Sequence, residues 1–249
     1  MISQLLSRSL QGLLVVGVLC LTGCATGPQT NPADPLEPLN RSVFRFNDTL
    51  DENVLKPVAT GYRDYTPSLV QTGVRNVFNN FSDVSAVLNN GLQLKGRQAA
   101  SSLMRVVVNT TVGVYGLFDV ATAIKLERYP EDFGQTLGYW GVRSGPYLVL
   151  PLLGPSTVRD TAGLPVDWQV DPVNNERIAH FGPETQILRI VDKRASYLAA
   201  GNMLNEASID KYAFLRDAYL QRRRSQIFDG NPPDEELPDQ SLAPSQSSK

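Results

Sequence analysis

The sequence predicts an all-α body, a single domain of kinked amphipathic helices interrupted by a short apolar non-helical segment near residues 146–153. Three observations predict it. Apolar residues recur at three- and four-residue spacing along most of the chain, as in helices that bury one stripe. No sustained period-2 alternation appears, so a half-buried sheet has no signature here. Glycine and proline gather in the middle, where Pro146, Pro151 and Gly154 deny the backbone a regular helix or central strand. No internal repeat is visible.

The first 23 residues read as a signal peptide. Arg8 and the free amine precede an apolar run from Leu10 to Leu21. That run suits a signal-peptide core and falls short of the about 20 residues a membrane span needs. It ends in Leu21-Thr22-Gly23-Cys24, the lipobox pattern cut by the bacterial lipoprotein signal peptidase. Thr22 and Gly23 are small enough to fit a protease as extended chain, and the Cys24 thiol is the predicted site of the diacylglyceryl group. One acyl chain binds a membrane only marginally, and stable anchoring takes at least two signals. Acylated Cys24 is therefore expected to hold the chain at a bilayer. Position 25 is Ala rather than the Asp that retains lipoproteins at the inner membrane, so the expected address is the periplasmic face of an outer membrane. Residues 24–38 are polar and proline-rich and read as a lipidated tether, 39–230 as the body, and 231–249 as a disordered acidic tail.

Within the body, Phe44, the Phe46-Asn47 pair, Leu50, Val54 and Val58 recur at roughly helical spacing, with a kink expected at Pro57. Pro67-Ser68 opens a helix with a Val70, Val74, Val77 and Phe81 stripe, and Ser82-Asp83 is expected to cap a separate helix through Leu92. Ala99–Asn109 follows, with Leu103/Val107 and Met104/Val108 as i,i+4 pairs. Gly134 and Gly138 fall on one face of a helical turn from Phe133, permitting close helix approach. A short helix is expected from Ser156-Thr157 to Gly163, then loop from Pro165 to Pro172. Pro183 opens a long helix with Ile187, Val191, Ala195 and Leu198 along one stripe. The last helix carries Ile209, Tyr212, Leu215 and Tyr219 and ends in Arg222-Arg223-Arg224, where cations complement the helix dipole.

Composition removes several function classes. The chain has 249 residues, two cysteines and one histidine. Cys20 leaves with the signal peptide and Cys24 is the acylation site, so no disulfide or thiolate metal site is expected and a core must hold the body together. A formal net charge of -2 lacks the basic face that nucleic acid requires. A zinc site of several His or Cys ligands cannot be built, no nucleophile elbow or phosphate-binding loop is present, and no cofactor is expected. The one histidine, His180, reads as a loop residue rather than a catalytic base. Glu131-Asp132 are adjacent carboxylates in a loop, without the across-the-bond spacing of a glycosidase. Arg63-Asp64, Arg159-Asp160 and Arg216-Asp217 are sequence neighbours, which do not face each other on a helix, so each charge is expected to pair elsewhere. Arg222 to Arg224 read as a solvated helix end rather than a lipid-headgroup site.

The motifs also carry a resemblance. Asp34-Pro35-Leu36-Glu37, Leu39-Asn40-Arg41 and Phe44-x-Phe46-Asn47 come first. Tyr62-Arg63-Asp64-Tyr65-x-Pro67, Asn109-Thr110-x-x-Gly113, Phe118-Asp119-Val120-Ala121 and Phe133-Gly134-x-Thr136-Leu137-Gly138 follow. Gly141-Val142, Gly145-Pro146-Tyr147, Leu150-Pro151, Gly154 and Arg159-Asp160 complete the order. Together they resemble the MlaA (VacJ) lipoprotein family over residues 34–160, loosely over 164–206, and again at 215–222. The family-motif residues singled out are Asn40, Arg41, Phe44, Asn47, Arg159 and Asp160. The resemblance implies a ring-like helical body embedded in the inner leaflet of the outer membrane, with an amphipathic channel. It implies a trimeric porin and a soluble periplasmic phospholipid carrier as partners, and retrograde phospholipid transport without an enzymatic step as the function. Apolarity makes Tyr147, Leu148, Val149, Leu150, Leu152 and Leu153 the lipid-contact candidates. The competing readings are a membrane-anchored phospholipid hydrolase and a structural porin-associated lipoprotein.

Overall fold

The structure, a computed structural model, describes residues 34–175 and 181–233. The signal peptide, Cys24, His180 and most of the acidic tail lie outside the described residues. Asp34, which the sequence reading places in the tether, is fully buried and belongs to the body.

Helix α1 (Glu37–Leu50) carries Pro38 in its first turn, where no backbone donor is missed. It runs through a wide π-turn (Asp51–Leu55) into α2 (Lys56–Tyr65). The irregularity predicted at Pro57 takes this form. Proline crowds the carbonyl four residues back, and the wide turn before it absorbs one extra residue per turn. Leu50, Val54 and Val58, spaced by four, all remain exposed.

Helix α3 (Ser68–Leu92) is continuous, so the cap expected at Ser82-Asp83 does not form. Both side chains are engaged within the helix layer: Ser82 Oγ donates to the Phe78 carbonyl, and Asp83 receives the guanidinium groups of Arg105 and Arg128. Helix α4 (Gly96–Thr111) folds back against α3. Short α5 (Val120–Ala123) and α6 (Phe133–Tyr139) are capped by Asp119 and Asp132, which accept the N–H groups of Thr122 and Gln135.

The apolar middle segment forms a hairpin, β1 (Tyr147–Leu150) antiparallel to β2 (Gly154–Thr157), whose strands are the only ones among the described residues. Its two strands leave Pro151 in the turn and Pro155 where its missing donor is tolerated. Thr157 then caps α7 (Val158–Val170), which continues past Pro165 into the stretch expected to be loop. The reason is tertiary: a Cβ at Gly163 would lie 2.9 Å from the Gly134 backbone nitrogen, so α7 presses directly on α6 and stays helical. Helices α8 (Pro183–Ser196) and α9 (Leu198–Ala207) break at Tyr197 where one long helix was expected, and α10 (Lys211–Ile227) starts at an Asp210 cap.

Two small apolar clusters supply the core. Ala59, Ala195 and Leu198 pack with Tyr62; Tyr147, Val149 and Tyr212 pack with Val43, Phe44, Tyr219 and Leu220. Elsewhere the usual distribution is inverted. Among the described residues, buried polar and charged side chains outnumber buried apolar ones, while Leu, Val, Tyr and Phe side chains stand exposed on most helices. Charged residues are almost never fully buried unless paired, and those buried here, such as Arg105 with Asp83 and Arg159 with Asp160, sit in ion pairs. No helix among the described residues is long and apolar enough to cross a membrane.

Candidate functional site

Asn40, Phe44 and Asn47 pack on the hairpin, Arg159 and Asp160 follow its second strand, and Arg41 sits over the Tyr212 ring beside it. Asn40 and Asn47 lie two turns apart on α1, on the face that meets the outer edge of β1. An asparagine amide offers the same carbonyl and N–H pair as a peptide, and α1 uses it as a surrogate strand. Asn40 Nδ2 donates to the Tyr147 carbonyl (2.9 Å) and to Asp34 Oδ1 (2.8 Å), while its Oδ1 accepts the Val149 N–H (2.9 Å). Asn47 repeats the pattern at the turn, donating to the Leu150 carbonyl and accepting the Leu152 N–H, both at 2.9 Å. The edge groups of β1 that no second strand pairs are thereby satisfied.

Phe44 meets the Tyr212 ring edge-on at 5.6 Å. Arg41 lies over the same ring at 4.4 Å and joins Glu37 to Asp210, so its hydrogen bond holds the Asp210 carboxyl down at about 2. Buried Asp34 closes this end of the site, bonded to Asn40, the Tyr212 hydroxyl and Arg216.

Arg159 and Asp160 sit at the foot of β2 in a buried ionic node. Asp160 accepts from Arg159, the Tyr219 hydroxyl and Arg223, and Arg223 reaches on to Asp132 at 2.5 Å. Burial opposes ionisation of Asp160 and Asp132, yet the Arg223 charge outweighs it and both carboxyls titrate below their ordinary range. The expected close approach at Gly134 and Gly138 occurs here, since a Cβ at either would strike Arg223 and Asp160, or Arg159 and Ile227. Next to the node, burial pushes Asp167 up to about 6 despite the bond it accepts from the Phe133 N–H.

Several expectations about charge are corrected. All three Arg-Asp neighbours do bond each other, at 2.7–2.8 Å, because the long arginine side chain folds back over its own backbone. Asp160 and Arg216 pair elsewhere as well. Arg223 is not solvated but is the centre of the node, and Asp132 is its partner and the cap of α6. Glu131 is also buried, bonded to Lys95 and Gln93.

The lipid-contact candidates divide by strand alternation. Tyr147 and Val149 point into the core against Tyr212, and Leu148 and Leu150 are half-buried. Leu152 and Leu153 in the turn are the exposed pair. Leu152 is held in the left-handed region (φ 65°), which strains any residue with a Cβ.

A second polar network lies inside the α3–α4–α5 layer. Arg105, 2% exposed, donates to Asp83, Thr122, the Leu126 carbonyl and both oxygens of Asp119. Asn109 donates to Asp119 and accepts the Ala121 N–H, and Arg128 bonds Asp83 and Asn79. On α4 the buried positions are Ser102, Arg105 and Asn109, whereas Leu103, Met104 and Val107 face outward. The helix is inside out.

Polar networks inside, apolar side chains on the outer face of α4 and a clamped apolar-tipped hairpin define a class: a mostly helical protein with locally inverted polarity. The particular family follows from comparison. The model of the MlaA lipoprotein family matches residues 32–226, and the chain belongs to that family. It is 35% identical over 222 residues to the intermembrane phospholipid transport system lipoprotein MlaA of Escherichia coli, covering 84% of this chain and 85% of that one. The MlaA of Haemophilus influenzae is 31% identical over 246 residues, covering 92% and 95%. A solved structure concerned with the structural basis for maintenance of bacterial outer membrane lipid asymmetry aligns with a TM-score of 0.69 and 34% identity, covering 80% of this chain and 99% of that one.

Proposed function

We propose that this chain is an outer-membrane lipoprotein that removes mislocalised phospholipid from the outer leaflet and passes it to a soluble periplasmic carrier, working beside a trimeric porin. The observation that carries the reading is α4, whose outward face is Leu103, Met104 and Val107 and whose one inward charge is Arg105. Such a helix is unfavourable in water and suited to hydrocarbon, where charges are kept inside the protein. The body is read as partly embedded in the inner leaflet and tethered there by acylated Cys24. The named relatives, lipoproteins of an intermembrane phospholipid transport system, support a role in phospholipid transport.

A phospholipid cannot cross water unaided, since each exposed CH₂ costs about 0.8 kcal/mol. An apolar exterior continuous with a polar interior offers tails and headgroup separate surroundings. Movement down a gradient needs neither nucleotide nor bond cleavage, so purified protein is expected to release no fatty acid from phospholipid. Leu150, Leu152 and Leu153 are the contact residues in this reading, presented by the Asn40–Asn47 clamp.

The test is outer-leaflet phospholipid in a strain lacking the protein. It should rise on deletion and return to normal with the intact gene, but not with Leu150→Asp/Leu152→Asp at equal protein level. An unchanged outer leaflet on deletion contradicts the function; full rescue by the double variant contradicts the assignment of the hairpin turn.

A further inference from the structure

The α3–α4 turn contains a residue that the chain's own packing does not explain. Helix α3 ends in a Schellman motif: the Leu94 N–H bonds the Gly91 carbonyl (3.0 Å) and the Lys95 N–H bonds the Asn90 carbonyl (2.9 Å). The residue after the cap must then be left-handed, which is glycine's place. Here it is Leu94, at φ 58° and 90% exposed. In water this choice is unfavourable twice, by backbone strain and by an exposed apolar side chain.

Its surroundings share one chemistry. The Trp140 indole N–H donates to the Leu92 carbonyl (3.2 Å), which places the α6 end against the turn. Tyr139, Trp140 and Val142 are all exposed beside it, and Lys95 lies 5.3 Å from the Tyr139 ring centre. Lys95 is saturated by Glu131 and Asp229. Arg143 follows immediately, exposed and free of any ion pair among the described residues. Tryptophan and tyrosine settle where hydrocarbon meets headgroup, and arginine there finds lipid phosphate.

We propose that Leu94, Tyr139, Trp140 and Arg143 form an interfacial anchor that fixes the depth and tilt of the body, with Leu94 in the acyl region, the two rings at the boundary and Arg143 among headgroup phosphates. The occupant is the phospholipid bilayer itself, argued from a leucine in a glycine slot, the exposed aromatic pair against that turn and an exposed, unpaired cation three residues after Trp140. The proposal rests on the reading that the body is embedded, and assigns which edge registers it.

The full acylated chain in phosphatidylethanolamine–phosphatidylglycerol vesicles provides the test. There are two tryptophans, so Trp168→Phe leaves Trp140 as sole reporter. Lipids brominated near the headgroup end of the acyl chain should quench it more than lipids brominated near the methyl end. Leu94→Gly should fold at least as well in detergent, because glycine suits the turn, yet let Trp140 rise toward the headgroups and raise the shallow-to-deep quenching ratio by at least about twofold. Strongest quenching at the methyl end, no quenching, or an unchanged ratio in Leu94→Gly overturns the proposal. Tryptophans placed at Leu103 and Met104 in a Trp140→Phe/Trp168→Phe background separate the two claims. If those are quenched while Trp140 is not, the anchor fails and embedding stands; if none is quenched, embedding fails and takes the anchor with it.

Discussion

Helices α4 and α10 have similar lengths, 16 and 17 residues, and opposite constructions. Helix α4 turns Ser102, Arg105 and Asn109 inward and leaves Leu103, Met104 and Val107 outside. Helix α10 buries Tyr212 against the hairpin and leaves Asp217, Gln221 and Arg222 exposed. It buries Arg216 too, but its outer face still carries charge. Hydrophobic burial explains the Tyr212 side of α10, which meets protein, while Asp217, Gln221 and Arg222 stand exposed together with Phe214. It cannot explain α4 unless the surroundings of α4 are themselves apolar. On the embedded reading proposed above, the two helices face two solvents around one body.

The largest expected effect breaks the inside of that comparison. Arg105→Ala strands buried Asp83 and half-buried Asp119 and should cost about 3–5 kcal/mol. Arg222→Ala on the outer face of α10 should change stability by less than about 0.5 kcal/mol. Denaturant unfolding in detergent checks both. Next comes the outside. Val107→Asp should cost about 2.5–3.5 kcal/mol in a bilayer and fail to restore lipid asymmetry, whereas Ala218→Asp should restore it fully; outer-leaflet phospholipid is the readout.

Smaller effects sharpen the site between the helices. Asn40→Ala leaves buried strand groups unpaired and should cost about 2–3 kcal/mol, with Asn47→Ala nearer about 1 kcal/mol because its partners lie at the open turn. The last has the opposite sign. Burial raises Asp167 from 3.8 to about 6, so its contribution to stability is fully present below the ordinary value and lost as pH rises through the folded one. Asp167→Asn should stabilise the protein at neutral pH by about 1–2 kcal/mol, allowing for residual solvent, and the gain should vanish below pH 3.8. Thermal unfolding against pH reads it.

Much of this was legible in the sequence. The helical class, the non-helical segment and the close approach at Gly134 and Gly138 follow from spacing and resemblance; that the motif residues gather around the hairpin does not. The inversion of α4 did not, because Leu103/Val107 and Met104/Val108 have the same periodicity whether they face a core or a lipid. The lone Arg105 in an otherwise uncharged stretch was the available signal, since an isolated charge on an apolar helix marks its protein-facing side. The Asn40–Asn47 clamp could be anticipated from their seven-residue spacing, but not its target, more than a hundred residues away. The node was hidden for a similar reason. Arg223 sits where helix dipoles welcome solvated cations, and only the fold brings Asp132 and Asp160 to it.

The two-solvent account is tested most directly by thiol accessibility. The sequence has cysteine only at positions 20 and 24, so single cysteines at 103, 104 and 107 can be compared with others at 217, 221 and 222 in intact outer membranes opened to the periplasm. A membrane-impermeant maleimide should label the α10 set and spare the α4 set, and detergent should expose both. Equal labelling of the two helices before detergent would contradict the account.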